Sequence, residues 1–86
     1  MPEISRFLGI VIKMYFKDHN PPHFHVFYNE FSASIDITDC RIINGNLPPR
    51  IYSLVAEWSI LNKKNLLENW KKMENNKDPM TIKPLV

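Results

Sequence analysis

Two of the predicted strands are joined by residues 18–25, whose sequence is DHNPPHFH. Pro21 and Pro22 each fix their own φ and lack a backbone donor, and Pro22 also restricts Pro21 to an extended conformation. We therefore expect a stiff corner between the strands. It carries all three histidines of the chain, His19, His23 and His25. His23 and His25 are two residues apart, so on a strand their side chains leave the same face.

The first strand is predicted over residues 8–16, after a short lead-in of residues 1–6. Apolar and polar residues alternate through this stretch, which is typical of a strand with one buried face. The inward set is Ile10, Ile12, Met14 and Phe16, and the outward set is Val11, Lys13, Tyr15 and Lys17.

Alternation continues after the corner. The second strand is predicted over residues 23–29 with Phe24, Val26 and Tyr28 inward, which places His23 and His25 outside the core. A turn at residues 29–30 precedes a third strand over residues 31–38, whose outward set includes Asp36. Residues 40–43 are predicted as a short fourth strand, closed by a turn at residues 44–46.

The remaining chain is predicted to be helical over residues 48–76. Pro48 and Pro49 suit a helix entry. Two apolar stripes follow, with a change of phase at residues 62–65, so two helices are favoured over one bent helix. The stripes are Ile51, Leu54, Val55, Trp58 and Leu61, then Leu66, Leu67, Trp70 and Met73. Asn62 is the expected N-cap of the second helix, and residues 77–86 form a tail that docks on the chain or on a partner.

These elements predict an α+β fold. A small antiparallel β-meander of three or four strands is followed by two C-terminal helices packed on one face. The 86 residues, 44% of them hydrophobic, are expected to form a single domain over residues 1–86.

Composition excludes several classes of protein. The single cysteine, Cys40, rules out an internal disulfide and a four-thiolate zinc site within the chain, and it is expected to be a small buried residue. No apolar run approaches the roughly 20 residues of a membrane span, and the amino terminus lacks a signal-peptide pattern. We expect a cytoplasmic protein without membrane contact. The net charge of +2 permits nucleic-acid binding without requiring it.

One hypothesis for the corner is a metal site. Imidazole is the commonest transition-metal ligand, and a pair of histidines two apart on a strand presents two donors together. His19, His23 and His25 would hold a zinc-like divalent metal, with Asp18 as a further ligand or as a hydrogen-bond acceptor for one of them.

A second hypothesis is acid–base catalysis on RNA by His19, His23 and His25 without a metal. Lys13, Lys17 or Arg41 would hold a phosphate, and Tyr15, Phe27 or Tyr28 would stack on a base. A third hypothesis is structural: the histidines brace the corner by bonding backbone carbonyls, while Asp18 and Asn20 cap the loop. The corner would then be a rigid element or a contact loop for another protein.

The sequence also resembles a family of small bacterial domains of unknown function, number 4160 in that series. The resemblance lies in residues 2–7 (PEISRF), the HNPPHFH string at residues 19–25, Leu47-Pro48 with Arg50, Glu57-Trp58, and residues 66–70 (LLENW). It implies a protein encoded beside a small partner, in pairs that look like type II toxin–antitoxin modules, with this chain as the presumed toxin. It implies no catalytic role for any histidine.

The toxin role implied by the resemblance, taken together with the histidine cluster, predicts a toxin component that acts on RNA through these histidines. Two alternatives stay open: a non-enzymatic protein-binding or regulatory module, and a metal-binding domain. The expected partners are a small antitoxin-like protein, RNA, and a second copy of the chain through the helices.

Overall fold

The computed structural model describes residues 2–86, so Met1 of the predicted lead-in lies outside the described residues. The fold is α+β, as predicted, with a five-stranded antiparallel sheet followed by two helices. The strands lie in sequence order, each paired with the next. They are β1 (Glu3–Phe7), β2 (Ile10–Lys13), β3 (His23–Tyr28), β4 (Phe31–Asp36) and β5 (Ile42–Asn46). The prediction of three or four strands was therefore too low.

The additional strand, β1, lies in the predicted lead-in. It pairs with β2 around a turn at Leu8 and Gly9, both of which have positive φ, so the strand predicted over residues 8–16 begins only at Ile10. A register shift between Glu3 and Ser5 breaks the alternation of β1. Phe16, predicted to face inward, follows the end of β2 and is 39% exposed.

The alternation predicted for β3 and β4 is largely confirmed. Phe24, Val26 and Ile35 are fully buried, whereas Tyr28 is only partly buried. Asp36, predicted to face outward, lies directly opposite His23 and so on the same face, but it is buried at the end of β4. Its Oδ1 accepts hydrogen bonds from the backbone N–H groups of Thr38 (2.7 Å) and Asp39 (3.4 Å), so the carboxylate is used inside the following turn.

Residues 44–46, predicted as a turn, belong to strand β5 instead. Gly45 lies opposite Ala33 with φ +80°, and a Cβ at this position would come within 2.2 Å of the carbonyl oxygen of Ser32. The glycine thus permits close approach of two strands. Cys40, predicted to be buried, is half-buried and has φ +61°.

The helical part consists of two helices, α1 (Pro49–Leu61) and α2 (Lys63–Glu74), as predicted. Asn62 between them does not cap α2 through its side chain. Its Nδ2 donates to the carbonyl of Trp58 at 2.8 Å, so it closes the end of α1. Leu61 and Leu67, assigned to the apolar stripes, are exposed, while Ser59 and Asn69 are buried.

The core lies between one face of the sheet and the helices. The indole of Trp58 packs against the rings of Phe7 (5.9 Å between centroids) and Phe24 (5.8 Å). Trp58 and Trp70 are core residues, as predicted. Within residues 2–86, neither helix has the length and apolarity that a membrane crossing requires.

The tail, residues 77–86, docks on its own chain. The N–H of Ile82 donates to the carbonyl of Ile4 at 2.8 Å, and the indole Nε1 of Trp58 donates to the carbonyl of Lys83 at 3.0 Å. Ile82 is buried. The tail thereby lies along the free edge of β1.

Candidate functional site

The backbone of the corner is fixed by hydrogen bonds to both prolines. The imidazole Nδ1 of His23 lies 2.7 Å from the carbonyl oxygen of Pro21, and the N–H of Ile37 donates to the carbonyl of Pro22 at 3.0 Å. The Asn20–Pro21 peptide bond is cis. Asp18 Oδ1 accepts the N–H of His19 at 3.0 Å. His23 and Asp18 thus brace the corner as the structural hypothesis expects, whereas Asn20 makes no side-chain hydrogen bond within the described residues.

Within this corner, two imidazoles converge on one carboxylate oxygen. Asp18 Oδ2 lies 3.0 Å from His23 Nε2 and 2.9 Å from His25 Nε2. The two rings are 5.0 Å apart and nearly perpendicular. The β3 strand explains part of this arrangement, since alternate residues share a face. The loop before the prolines supplies the carboxylate.

His23 is buried, contrary to the prediction that both imidazoles lie outside the core. The alternation of β3 predicts the face of His23 correctly. However, Trp70 of α2 packs on the imidazole ring, with 5.2 Å between the ring centroids. Asp18 covers it from the loop. A helix far along the chain therefore removes His23 from solvent.

His25 lies in a row of polar side chains on the sheet face opposite the core. The strand register places Lys13, His25, Ser34 and Asn44 side by side across β2 to β5. Ser34 Oγ is 3.3 Å from His25 Nδ1, and the ring of Tyr15 meets the imidazole edge-on at 4.5 Å. Each ring nitrogen of His25 therefore has a protein partner.

Beside this polar row, the same face of the sheet carries the ring of Phe27. Phe27 is the neighbour of His25 on β3, two residues along, and Lys13 Nζ lies 5.3 Å from its ring centroid. A groove on this face is lined by residues of β3, β4 and β5, namely His25, Phe27, Ser32, Ala33, Ser34, Asn44 and Gly45.

The carboxyl of Asp18 is kept ionised by its neighbours. Burial on its own raises the pKa of this group. The hydrogen bond from His25, the charge of His23 and the N–H of His19 outweigh that effect, so the pKa of Asp18 lies below its ordinary value. The site therefore presents a negative oxygen between two imidazoles.

The other residues predicted for the site in the loop and after β4 lie outside this cluster. His19 and Asn20 are exposed on the rim of its pocket, and the donor atoms converge without His19. Lys17 is exposed with φ +54°. Arg41 is exposed and faces Asp39, with 3.8 Å between Nε and Oδ2. The pocket itself is lined by Asp18, His19, Asn20, Pro21, His23, His25, Ser34, Ile43 and Asn44.

Two residues of the site were not predicted from the sequence. Ser34 falls within the third predicted strand, residues 31–38, without a predicted site role, and Trp70 is predicted only as part of a helix stripe. The cross-strand position of Ser34 requires the register of β3 and β4, and the contact of Trp70 requires the packing of α2. Neither the position of Ser34 nor the contact of Trp70 can be predicted from the neighbouring sequence alone.

The donor set of the cluster is two imidazole nitrogens and one carboxylate oxygen. One such atom from each of Asp18, His23 and His25 lies within 4.8 Å of the others. This combination suits borderline divalent transition metals such as zinc. The predicted metal set of three histidines is therefore not the one that the fold assembles.

Comparison with known proteins places the chain in a family. The family model described as "Domain of unknown function (DUF4160)" matches residues 9–71, which include the corner, the sheet from β2 onward and most of both helices. The chain belongs to this family. No curated protein and no solved structure matches it.

Proposed function

We propose that this member of the DUF4160 family is the toxin component of a bacterial type II toxin–antitoxin-like module and that it acts on RNA at the pocket of Asp18, His23 and His25. One observation carries the proposal: the two Nε2 atoms lie within 3.0 Å of a single carboxylate oxygen in the wall of a pocket. Titratable groups gathered in this way are typical of reactive centres.

The surface beside the pocket supports RNA as the substrate. Single-stranded RNA is bound by aromatic rings that stack on bases and by cations that hold phosphates. Phe27 and Lys13 provide such a pair one step along the sheet from His25, and Tyr15 adds a second ring at the imidazole edge. The groove continues from the pocket through shared walls at His25, Ser34 and Asn44.

Controlled expression of the chain in bacteria tests the proposal, with growth and total RNA followed together. Asp18→Asn and His25→Ala change the cluster, and His19→Ala is the matched control because it removes a histidine of the same loop that is outside the cluster. We expect growth arrest and RNA fragments from the wild type and His19→Ala, and neither from the two cluster variants. Circular dichroism establishes that each variant folds. Growth unaffected by the wild-type chain would sink the toxin proposal.

A non-enzymatic contact loop is the second candidate. The bracing hydrogen bond from His23 to Pro21 and the capping of His19 by Asp18 hold His19 and Asn20 on the exposed rim. A rigid exposed loop suits recognition of another protein, such as the small antitoxin-like partner. In the same expression experiment, this function predicts that His19→Ala combined with Asn20→Ala relieves growth arrest more than His25→Ala does.

A further inference from the structure

We propose that Asp18, His23 and His25 bind one divalent transition-metal ion of the borderline class to which zinc belongs. The ligand atoms are Oδ2 of Asp18 and the two Nε2 atoms. Metal binding goes beyond the proposed action on RNA, because it is a property of the purified chain whether or not the chain inhibits growth.

The first argument is the proton on His23. Its Nδ1 lies 2.7 Å from the carbonyl oxygen of Pro21, and a carbonyl oxygen only accepts hydrogen bonds, so Nδ1 carries the hydrogen. In a neutral imidazole, Nε2 then carries no hydrogen and presents a lone pair. A carboxylate oxygen lies 3.0 Å from that atom, so the contact is favourable only with a cation at this position: a proton, which makes His23 an imidazolium, or a metal ion that both atoms bind.

The second argument is that His25 presents the same atom to the same oxygen. Its Nε2 is 2.9 Å from Asp18 Oδ2, while its Nδ1 is 3.3 Å from the hydroxyl of Ser34. Histidines that bind metals commonly donate their other ring N–H to a backbone carbonyl or another oxygen, which fixes the tautomer. With a metal ion on both Nε2 atoms, the hydrogens of the two imidazoles would lie on Nδ1, where Pro21 and Ser34 are in place to accept them.

The separations between the donor atoms can be compared with those around a bound zinc ion. Donors bound to zinc at roughly 2.0–2.2 Å in a tetrahedral arrangement lie about 3.3 Å apart. Two of the three donor pairs here are 2.9 and 3.0 Å apart, and all three lie within 4.8 Å. The two Nε2 atoms, which lie within 4.8 Å of each other, take the separation of about 3.3 Å when both side chains adjust around one ion.

Three protein ligands leave a coordination position open, as in catalytic rather than structural zinc sites. The pocket wall continues from the cluster to Ser34 and Asn44, and the row on the sheet face ends at Lys13. The open position therefore suits a water molecule or an oxyanion such as a phosphate oxygen. Direct proton transfer by the imidazoles is less suited to this geometry, because all four ring nitrogens already contact protein oxygens.

Calorimetric titration of the chelator-treated full chain with Zn²⁺ tests the site. We expect one ion per chain. Asp18→Asn and His25→Ala should weaken binding by at least about 100-fold, since each removes a ligand and even the loss of a ligand's hydrogen-bond partner costs roughly 10–100-fold. His19→Ala should stay within about threefold of the wild type because it removes no ligand.

Co²⁺ supplies a second measurement, because its visible absorption changes when imidazole and carboxylate replace water. We expect that change in the wild type and in His19→Ala only.

Three results would overturn the site: no stoichiometric binding by the wild type, unchanged binding by Asp18→Asn or His25→Ala with the fold intact, or equal loss in His19→Ala. Thermal unfolding of each metal-free variant identifies any that fail to fold, and Asp18→Asn, nearly equal in shape, keeps the test decisive. Zinc binding without growth arrest would sink the function proposed above and leave the metal site standing.

Discussion

At the residue scale, Asp18 makes more contacts in the corner than its place in a loop suggests. One oxygen meets both imidazoles, and the other accepts a backbone N–H. The sequence identified Asp18 as a ligand or acceptor but assigned the centre to three histidines. The spacing of residues along a strand predicts which face a side chain occupies. It does not predict that Asp18, five positions before His23, folds back onto that face.

The pH dependence of stability should reveal the ionised carboxyl of Asp18. Burial opposes ionisation, but hydrogen bonds and the charge of His23 place the pKa below its ordinary value of 3.8. A depressed folded-state pKa contributes stability above the unfolded value, and that contribution is lost as the pH falls through the folded one. Asp18→Asn should therefore be less stable than the wild type by roughly 1–3 kcal/mol at neutral pH, with a gap that narrows below about pH 4.

Urea denaturation with chelator present measures this gap at each pH. The control is Asp78→Asn, at an exposed position of the tail, which should follow the wild type throughout. A gap that stays constant down to about pH 3 would show that the amide substitution acts by shape and not by charge.

The two glycines provide a matched pair. Both have φ near +80°, but a Cβ on Gly45 would lie 2.2 Å from the carbonyl oxygen of Ser32, whereas a Cβ on Gly9 would meet only Tyr28 at 3.6 Å. Gly9→Ala should cost about 1–2 kcal/mol for the backbone conformation alone. Gly45→Ala should cost at least about 2 kcal/mol more, because the strands must separate. Equal unfolding free energies in denaturant would contradict the close approach of β4 and β5.

At the scale of the element, the sequence predicted strands well where alternation is regular. In β3 and β4, one face is apolar and the other carries histidine and serine, so the period is visible. In β1 the register shift between Glu3 and Ser5 interrupts the period, and Ser5 is itself buried. The β5 strand is exposed along most of its length, and its Asn-Gly-Asn sequence is typical of turns. Pairing with a neighbour, not local pattern, makes it a strand.

The α2 helix is attached to the tail by a buried amide. Asn69 is fully buried, its Oδ1 accepts the N–H of Met80 at 2.9 Å, and its Nδ2 donates to the carbonyl of Met80 at 2.8 Å. Asn69→Ala leaves both backbone groups without their partner, so it should reduce the unfolding free energy by roughly 2–4 kcal/mol. Asn75→Ala, which removes an exposed bond to Lys71, should cost less than about 1 kcal/mol. Guanidinium unfolding distinguishes the two, and similar losses would contradict this role of Asn69.

At the scale of the whole molecule, a chain of contacts connects the tail to the corner. Met80 is bonded to Asn69, Asn69 is the residue before Trp70 on α2, and Trp70 packs on the buried ring of His23. This path explains why the sequence predicts a histidine cluster but not the burial of His23. One of the contacts that bury His23 comes from Trp70, 47 positions away, and the tail that holds this helix is further still.

Removal of residues 77–86 should therefore affect both stability and the site. The truncated chain loses the buried side chain of Ile82 and the bonds that reach Ile4, Trp58 and Asn69. We expect a loss of several kcal/mol in unfolding free energy, of which Ile82 alone supplies roughly 2–4 kcal/mol. Removal of the exposed Val86 alone is the control and should change little. Under conditions where the truncated chain stays folded, zinc affinity should also fall several-fold, because α2 then holds Trp70 and His23 less firmly. Unchanged zinc affinity in a folded truncated chain would show that the loop and sheet fix His23 without α2.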